Sequence, residues 1–173
     1  MYGQSYQGNE TLTRLNKEFQ LCQEDQDLIT IGCNFGLENN NIYKWRVSML
    51  GPKNTPYEKG LFTIKIEFPD DYPNHGPEFK FVNKIYHLNV VGDKNREDFG
   101  HICINNINSW KLTGVVRGRP VYAVKQALLD IFCLFYKQGV DSAYDQQMAD
   151  DYKNNYPKFE EEAKRWTKTY ASF

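Results

Sequence analysis

This sequence predicts an α+β domain: an N-terminal helix, a four-stranded antiparallel meander sheet, then three C-terminal helices. Two observations carry that prediction. Apolar residues recur at helical spacing near both ends of the chain and in strand-like runs between them, and the runs are joined by short links rich in turn-forming residues. Strands and helices are therefore segregated along the chain rather than alternating, which argues against a parallel, doubly wound sheet.

Element by element, Met1 to Asn9 reads as a polar, disordered tail ahead of a domain spanning 10–173. Leu12, Leu15, Phe19 and Cys22 predict a helix from about Glu10 to Gln23, with Arg14 and Lys17 on its polar side. Strands follow near Leu28 to Phe35, Ile42 to Leu50 and Leu61 to Phe68, with Phe79 and Phe81 in a shorter fourth. Asn39-Asn40-Asn41, Gly51 to Pro56 and Pro69 to Pro73 are the turns between them. The segment from Lys84 to Arg119 has little periodicity. Beyond Pro120, Val121, Val124, Leu128, Ile131, Phe132 and Phe135 predict a central buried helix. Tyr144 to Asn154 predicts another, and Pro157 opens a last one with a face of Phe159, Ala163, Trp166 and Tyr170.

Composition narrows the function. With 21 basic and 22 acidic residues the net charge is -1, which gives no electrostatic reason to expect a nucleic acid or an anionic membrane as partner. The chain has no apolar stretch of membrane-spanning length and its start lacks the pattern of a secretory signal, so cytoplasm or nucleus is the expected location. The cysteines at 22, 33, 103 and 133 and the histidines at 75, 87 and 101 lack metal-ligand spacing, and no metal or cofactor is expected.

Cys22, Cys33 and Cys133 lie in apolar runs and read as core packing. Cys103 differs: it follows Gly100-His101-Ile102 in a segment flanked by glycine and asparagine, with His87-Leu88-Asn89 upstream and Trp110 seven positions on. A cysteine can carry an acyl group as a reactive thioester at neutral pH. An asparagine amide can stabilise the oxyanion formed when an amine attacks it, or hold the surrounding loop in shape. His101 shares the side of an extended segment with Cys103, but no acid is placed by sequence to orient it, so it reads as a loop residue. His87 reads as a tie for the loop that bears Asn89.

From about Glu10 to its end the chain resembles the ubiquitin-conjugating enzymes. The resemblance rests on Tyr43-Lys44-Trp45, Gly51-Pro52 with Thr55-Pro56-Tyr57-Glu58 and Gly60, Phe68-Pro69 with Asp71-Tyr72-Pro73, Ile85-Tyr86-His87, and the closing run Ala163 to Ala171. It implies that Cys103 takes ubiquitin, or a ubiquitin-like protein, from an activating enzyme and passes it to a substrate lysine, usually with a ligase. ATP is used by the activating enzyme, so this chain needs no nucleotide loop. Asn89 would be the asparagine of the family's His-Pro-Asn signature, and Asp141 and Ser142 would occupy the loop that shapes the lysine's approach. The family mostly acts as monomers, and its first helix uses a basic face toward activating enzyme and ligase.

Three departures stand out. Leu88 replaces the signature proline, which frees one backbone dihedral. The charged stretch from Val91 to Phe99 lengthens the path from Asn89 to Cys103, and Lys111 to Arg119 lengthens the path from Trp110 to the central helix. Asn74 also stands where many members carry a bulky apolar ligase anchor. A non-catalytic ubiquitin-binding or scaffold module on the same fold, and a carrier of a ubiquitin-like modifier, therefore stay open beside the conjugating enzyme.

Overall fold

A computed structural model of the protein describes residues 3–103, 115–116, 119–120 and 124–172. Four strands, β1 (Asn34–Glu38), β2 (Asn41–Leu50), β3 (Leu61–Glu67) and β4 (Glu78–Phe81), form an antiparallel meander in the order β1-β2-β3-β4. Asn39 and Asn40 take left-handed backbone angles (φ 52° and 56°) and make the tight β1–β2 turn, a conformation asparagine tolerates better than most residues. Alternation then sorts the two faces. Trp45, Val47 and Met49 of β2, Phe62, Ile64 and Ile66 of β3, and Phe79 and Phe81 of β4 are all buried. The opposite face carries ion pairs such as Lys65 with Glu67 at 2.8 Å and with Glu38 at 3.2 Å.

Helix α1 (Gly3–Glu24) starts earlier than the apolar spacing predicts: helical backbone extends through residues expected to form a tail. Backbone bonding along a helix continues without an apolar face, so the spacing marks only the part that packs. That part docks through Leu15, Phe19 and Cys22. Phe19 meets the fully buried Trp45 edge to face at 4.9 Å. Leu12 remains exposed.

The strand predicted from Leu28 to Phe35 is instead a short helix, α2 (Gln26–Thr30), followed by β1. The Asp25 side chain caps α2 by accepting from the backbone N–H groups of Asp27 (3.0 Å) and Leu28 (3.2 Å). Gly32, at φ 78°, ends it: the Gly32 N–H donates to the Ile29 carbonyl and the Cys33 N–H to the Leu28 carbonyl. A five-residue helix is too short to show its period, and its apolar residues look like a strand.

Three helices follow the site segment: α3 (Val124–Leu134), α4 (Gln146–Asn154) and α5 (Tyr156–Tyr170). Helix α3 buries Val124, Ala127, Leu128 and Ile131 in the core, and Phe135 just beyond it packs on Tyr57 and Phe62 at 5.2 Å each. Cys133 is exposed on this helix, not packed in the core as its sequence position suggested, because it lies off the buried stripe. Asp145 caps α4 through the Met148 N–H at 2.9 Å, so this helix starts after Tyr144. The buried face of α5 is Phe159, Ala163 and Thr167, whereas Tyr170 is exposed under the Lys84 ammonium. Two two-residue strands, β5 (Val115–Val116) and β6 (Arg119–Pro120), pair antiparallel where the 111–119 stretch meets Pro120; Trp110 lies outside the described residues.

The chain enters the site beside β4. The Phe81 N–H donates to the Gly100 carbonyl at 2.8 Å, and a Cβ added to Gly100 would stand 2.1 Å from the Phe81 carbonyl oxygen. Gly100 also has φ 79°, so this crossing needs glycine twice over. Gly100→Ala is expected to lower the unfolding free energy by about 2–4 kcal/mol, measured by urea denaturation, through strained backbone and the forced shift of β4.

Candidate active site

Residues 87–103 form a closed loop standing on two short antiparallel pairings. The Val90–Ile102 bridge, the Val91 N–H to the His101 carbonyl (3.0 Å) and the Gly100 N–H to the Val91 carbonyl (2.8 Å) zip its base. The Cys103 N–H then donates to the Asn89 carbonyl at 2.8 Å. The charged stretch 92–99 is therefore looped out above this ladder, and the added length does not separate Asn89 from Cys103. An exposed Arg96–Asp98 pair at 2.7 Å braces the loop.

Asn89 is only 1% exposed and all the hydrogen-bonding groups of its side chain are placed. Its Nδ2 donates to the Gly139 carbonyl at 2.8 Å and the Ser142 carbonyl at 3.2 Å, while its Oδ1 accepts from the Gly139 N–H at 2.8 Å. Both amide hydrogens are thereby committed to the loop after α3. Ser142 ends a 3-10 turn (Val140–Ser142) and meets Asn89 through its carbonyl, with its N–H on the Gly139 carbonyl. Asp141 sits exposed at the tip of that turn. The structure thus brings Asn89 to Cys103 and Ser142 to Asn89, and it leaves Asp141 toward solvent.

His87 holds the loop from beneath. It is 2% exposed, its Nε2 lies 3.1 Å from the Leu134 carbonyl, and its Nδ1 accepts from the Asn89 N–H at 3.0 Å. Those partners require the neutral ring with the proton on Nε2. Burial drives its pKa down from 6.5 to about 4, partly opposed by the Leu134 carbonyl.

The four thiols differ in environment. Burial pushes Cys22 and Cys33 up to about 12, with Glu18 and Asp25 adding to the shift at Cys22. Both stay protonated at neutral pH and are poor nucleophiles. Cys103 is half-buried, and the Tyr144 hydroxyl lies within electrostatic reach of its sulfur. Desolvation and that sulfur push the Tyr144 phenol up to about 12, with Asp98 of the looped-out stretch adding to the rise. Sequence reasoning missed Tyr144 by assigning it to a helix start; the capping Asp145 beside it was the available signal. The ring of His101 stands 6.3 Å from that of Tyr144, edge on. Among the described residues no cluster of three or more metal-ligating side chains occurs, and no helix is long and apolar enough to cross a membrane.

Arg14, expected on an open basic face, is drawn toward the protein instead. It pairs with the buried Glu18, which accepts from the Tyr72 hydroxyl at 2.7 Å, and its guanidinium lies 5.3 Å over the Tyr72 ring. Lys17 remains exposed.

Known proteins share this sequence pattern and fold. A family model described as ubiquitin-conjugating enzyme matches residues 14–167. An Arabidopsis thaliana protein assigned as ubiquitin-conjugating enzyme E2 31 is 33% identical over 159 residues, covering 92% of each chain. Ubiquitin conjugating enzyme E2 B of Dictyostelium discoideum is 31% identical over 139 residues, 80% of this chain and 85% of that one. A crystal structure of a Plasmodium yoelii protein assigned as a ubiquitin conjugating enzyme superposes with a TM-score of 0.77 at 32% identity, covering 94% of this chain and 96% of that one. The E2 domain of a Toxoplasma gondii ubiquitin conjugating enzyme gives 0.73 at 31% identity, covering 94% and 99%.

The buried, neutral His87 makes a pH prediction. The unfolded chain takes up a proton below about 6.5 while the folded chain resists it down to about 4, so the histidine's contribution is full above pH 7 and is lost as pH falls between those values. Urea denaturation should show His87 lowering stability by about 2 kcal/mol at pH 5 relative to pH 7. His87→Gln, which keeps a donor and an acceptor but does not titrate, should lack that component.

Proposed function

We propose that this chain, which belongs to the ubiquitin-conjugating enzyme family, accepts ubiquitin as a thioester on Cys103 and transfers it to a lysine amine of a protein substrate. The observation that carries the reading is the Cys103 N–H bonded to the Asn89 carbonyl, which holds a half-buried thiol over a fully satisfied asparagine. The Cys103 thiolate attacks the carbonyl of ubiquitin's thioester with the activating enzyme and expels that enzyme's cysteine. The neutral substrate amine then attacks the new thioester, forming an isopeptide bond as the bond to Cys103 sulfur breaks, and the amine's proton passes through water to the departing sulfur or to solvent. ATP is used upstream, so neither step here needs a nucleotide.

A thioester is already an activated acyl group, and orienting and desolvating the amine supplies the rate. Asn89 serves this scheme by holding the loop: both its amide hydrogens already lie on backbone carbonyls, which favours this role over direct donation to the oxyanion. Ser142 contributes its carbonyl to that grip, and Asp141 is free at the turn's tip to receive the incoming ammonium. The activating enzyme, a ligase and the substrate are the partners this function requires.

Charging tests the proposal. With activating enzyme, ubiquitin and ATP, a non-reducing gel should show one added ubiquitin in a thiol-sensitive band. Cys103→Ala should abolish it, Cys103→Ser should give a thiol-resistant oxyester, and Cys133→Ser, which removes the exposed thiol of α3, should charge as the unaltered protein does. Loading of a ubiquitin-like protein in place of ubiquitin would redirect the reading to that modifier. Failure with every modifier would leave a binding module.

A further inference from the structure

We propose that Gln138 is a positioning residue for thioester discharge, bracing the backbone at Leu88 through a bond that a proline at that position could not make. The proposal rests on the thioester reading above. His87 to Val90 form a turn closed by the Val90 N–H on the His87 carbonyl at 3.2 Å, which makes Leu88 the second residue of the turn. Proline is favoured at that place because its ring fixes the required φ, and it brings no N–H. Leucine leaves φ free and adds a donor, here wholly buried.

Gln138 meets both consequences. Its Oε1 accepts the Leu88 N–H at 2.8 Å, and its Nε2 donates to the Tyr57 hydroxyl at 2.7 Å, which donates in turn to the Tyr86 carbonyl at 2.7 Å. Tyr57 is fully buried and Gln138 is 6% exposed, so neither group has water as a ready substitute. The next residue, Gly139, exchanges two hydrogen bonds with the Asn89 side chain. Residues 138–139 therefore grip residues 88–89 through three hydrogen bonds, and Asn89 passes that placement to Cys103 through its carbonyl. Removing the Gln138 carboxamide leaves the Leu88 N–H buried without a partner, and the turn must move to find one.

Single-turnover discharge of charged protein to free lysine is the test, with Gln138→Met, Leu88→Pro and the double variant. Gln138→Met should still charge, its maximal discharge rate should fall about tenfold, and its KM for lysine should stay within about twofold, since the placement of the thioester is lost rather than lysine binding. In the Leu88→Pro background the same change should cost less than about twofold, because the donor that Gln138 satisfies is gone. Equal losses in both backgrounds, or unchanged discharge in Gln138→Met, would overturn the proposal. Should Gln138→Met not fold, Gln138→Asn, whose carboxamide is one methylene too short to keep the Leu88 N–H bond in place, should slow discharge with KM unchanged; discharge as fast as the unaltered protein's would count against the brace. Amide hydrogen exchange of the uncharged protein separates this proposal from the thioester reading. Faster exchange at Gly139 and Cys103 in Gln138→Met supports the brace even if no modifier loads, an outcome that would sink the thioester reading alone, and unaltered exchange overturns the brace itself.

Discussion

The site depends on one buried side chain. Asn89 lies between two segments distant in sequence: its carbonyl receives the Cys103 N–H, and its carboxamide holds the backbone of Gly139 and Ser142. An amide is suited to the place because it offers two donors and an acceptor without a charge, so all of its bonds can be made to backbone groups at little desolvation cost. A carboxylate would repel the two carbonyls, and an aliphatic side chain would strip the Gly139 N–H and the Ser142 carbonyl of the partner they have here. The backbone that carries the thiol is thus held by hydrogen bonds made through Asn89.

Much of the fold was legible in the sequence because it follows periodicity. The meander, the central α3 and the last helix each show their buried face at the spacing their geometry demands, as Trp45, Val47 and Met49 do on β2. Family membership was legible as well, since its motifs sit in turns and at the ends of elements, where few residues will serve. The start of the sheet was not. In α2 the cap at Asp25 and the stop at Gly32 decide the conformation, and a run of five residues gave the helical period no room to appear.

The site was legible only in part, for a related reason. Cys103 and Asn89 announce themselves by residue type and neighbours, and a backbone hydrogen bond joins the two. Leu88 could be seen only as a departure. Its partner Gln138, fifty residues away, follows the end of a helix, where a polar residue ordinarily faces solvent. Pairing of a freed backbone donor with a distant carboxamide has no periodic trace. Tyr144 was hidden in the same way, since its nearness to the Cys103 sulfur depends on the turn that carries it.

The support under the thiol has a common chemical character. Asn89, Gln138 and Tyr57 are neutral, His87 is kept neutral by its burial, and the remaining partners are backbone N–H and C=O groups. Formal charges in this region, such as those on Asp141, Arg96 and Asp98, lie on the flanking turns with their side chains toward solvent. A scaffold built this way neither gains nor loses protons at neutral pH, so its geometry would stay constant through the thiolate, thioester and amine stages of the proposed reaction. Chemistry that starts from an activated acyl group asks for that constancy more than for a strong base. Neutral dipoles fixed in a dry interior can supply it, because they need no reorganisation when charge develops nearby.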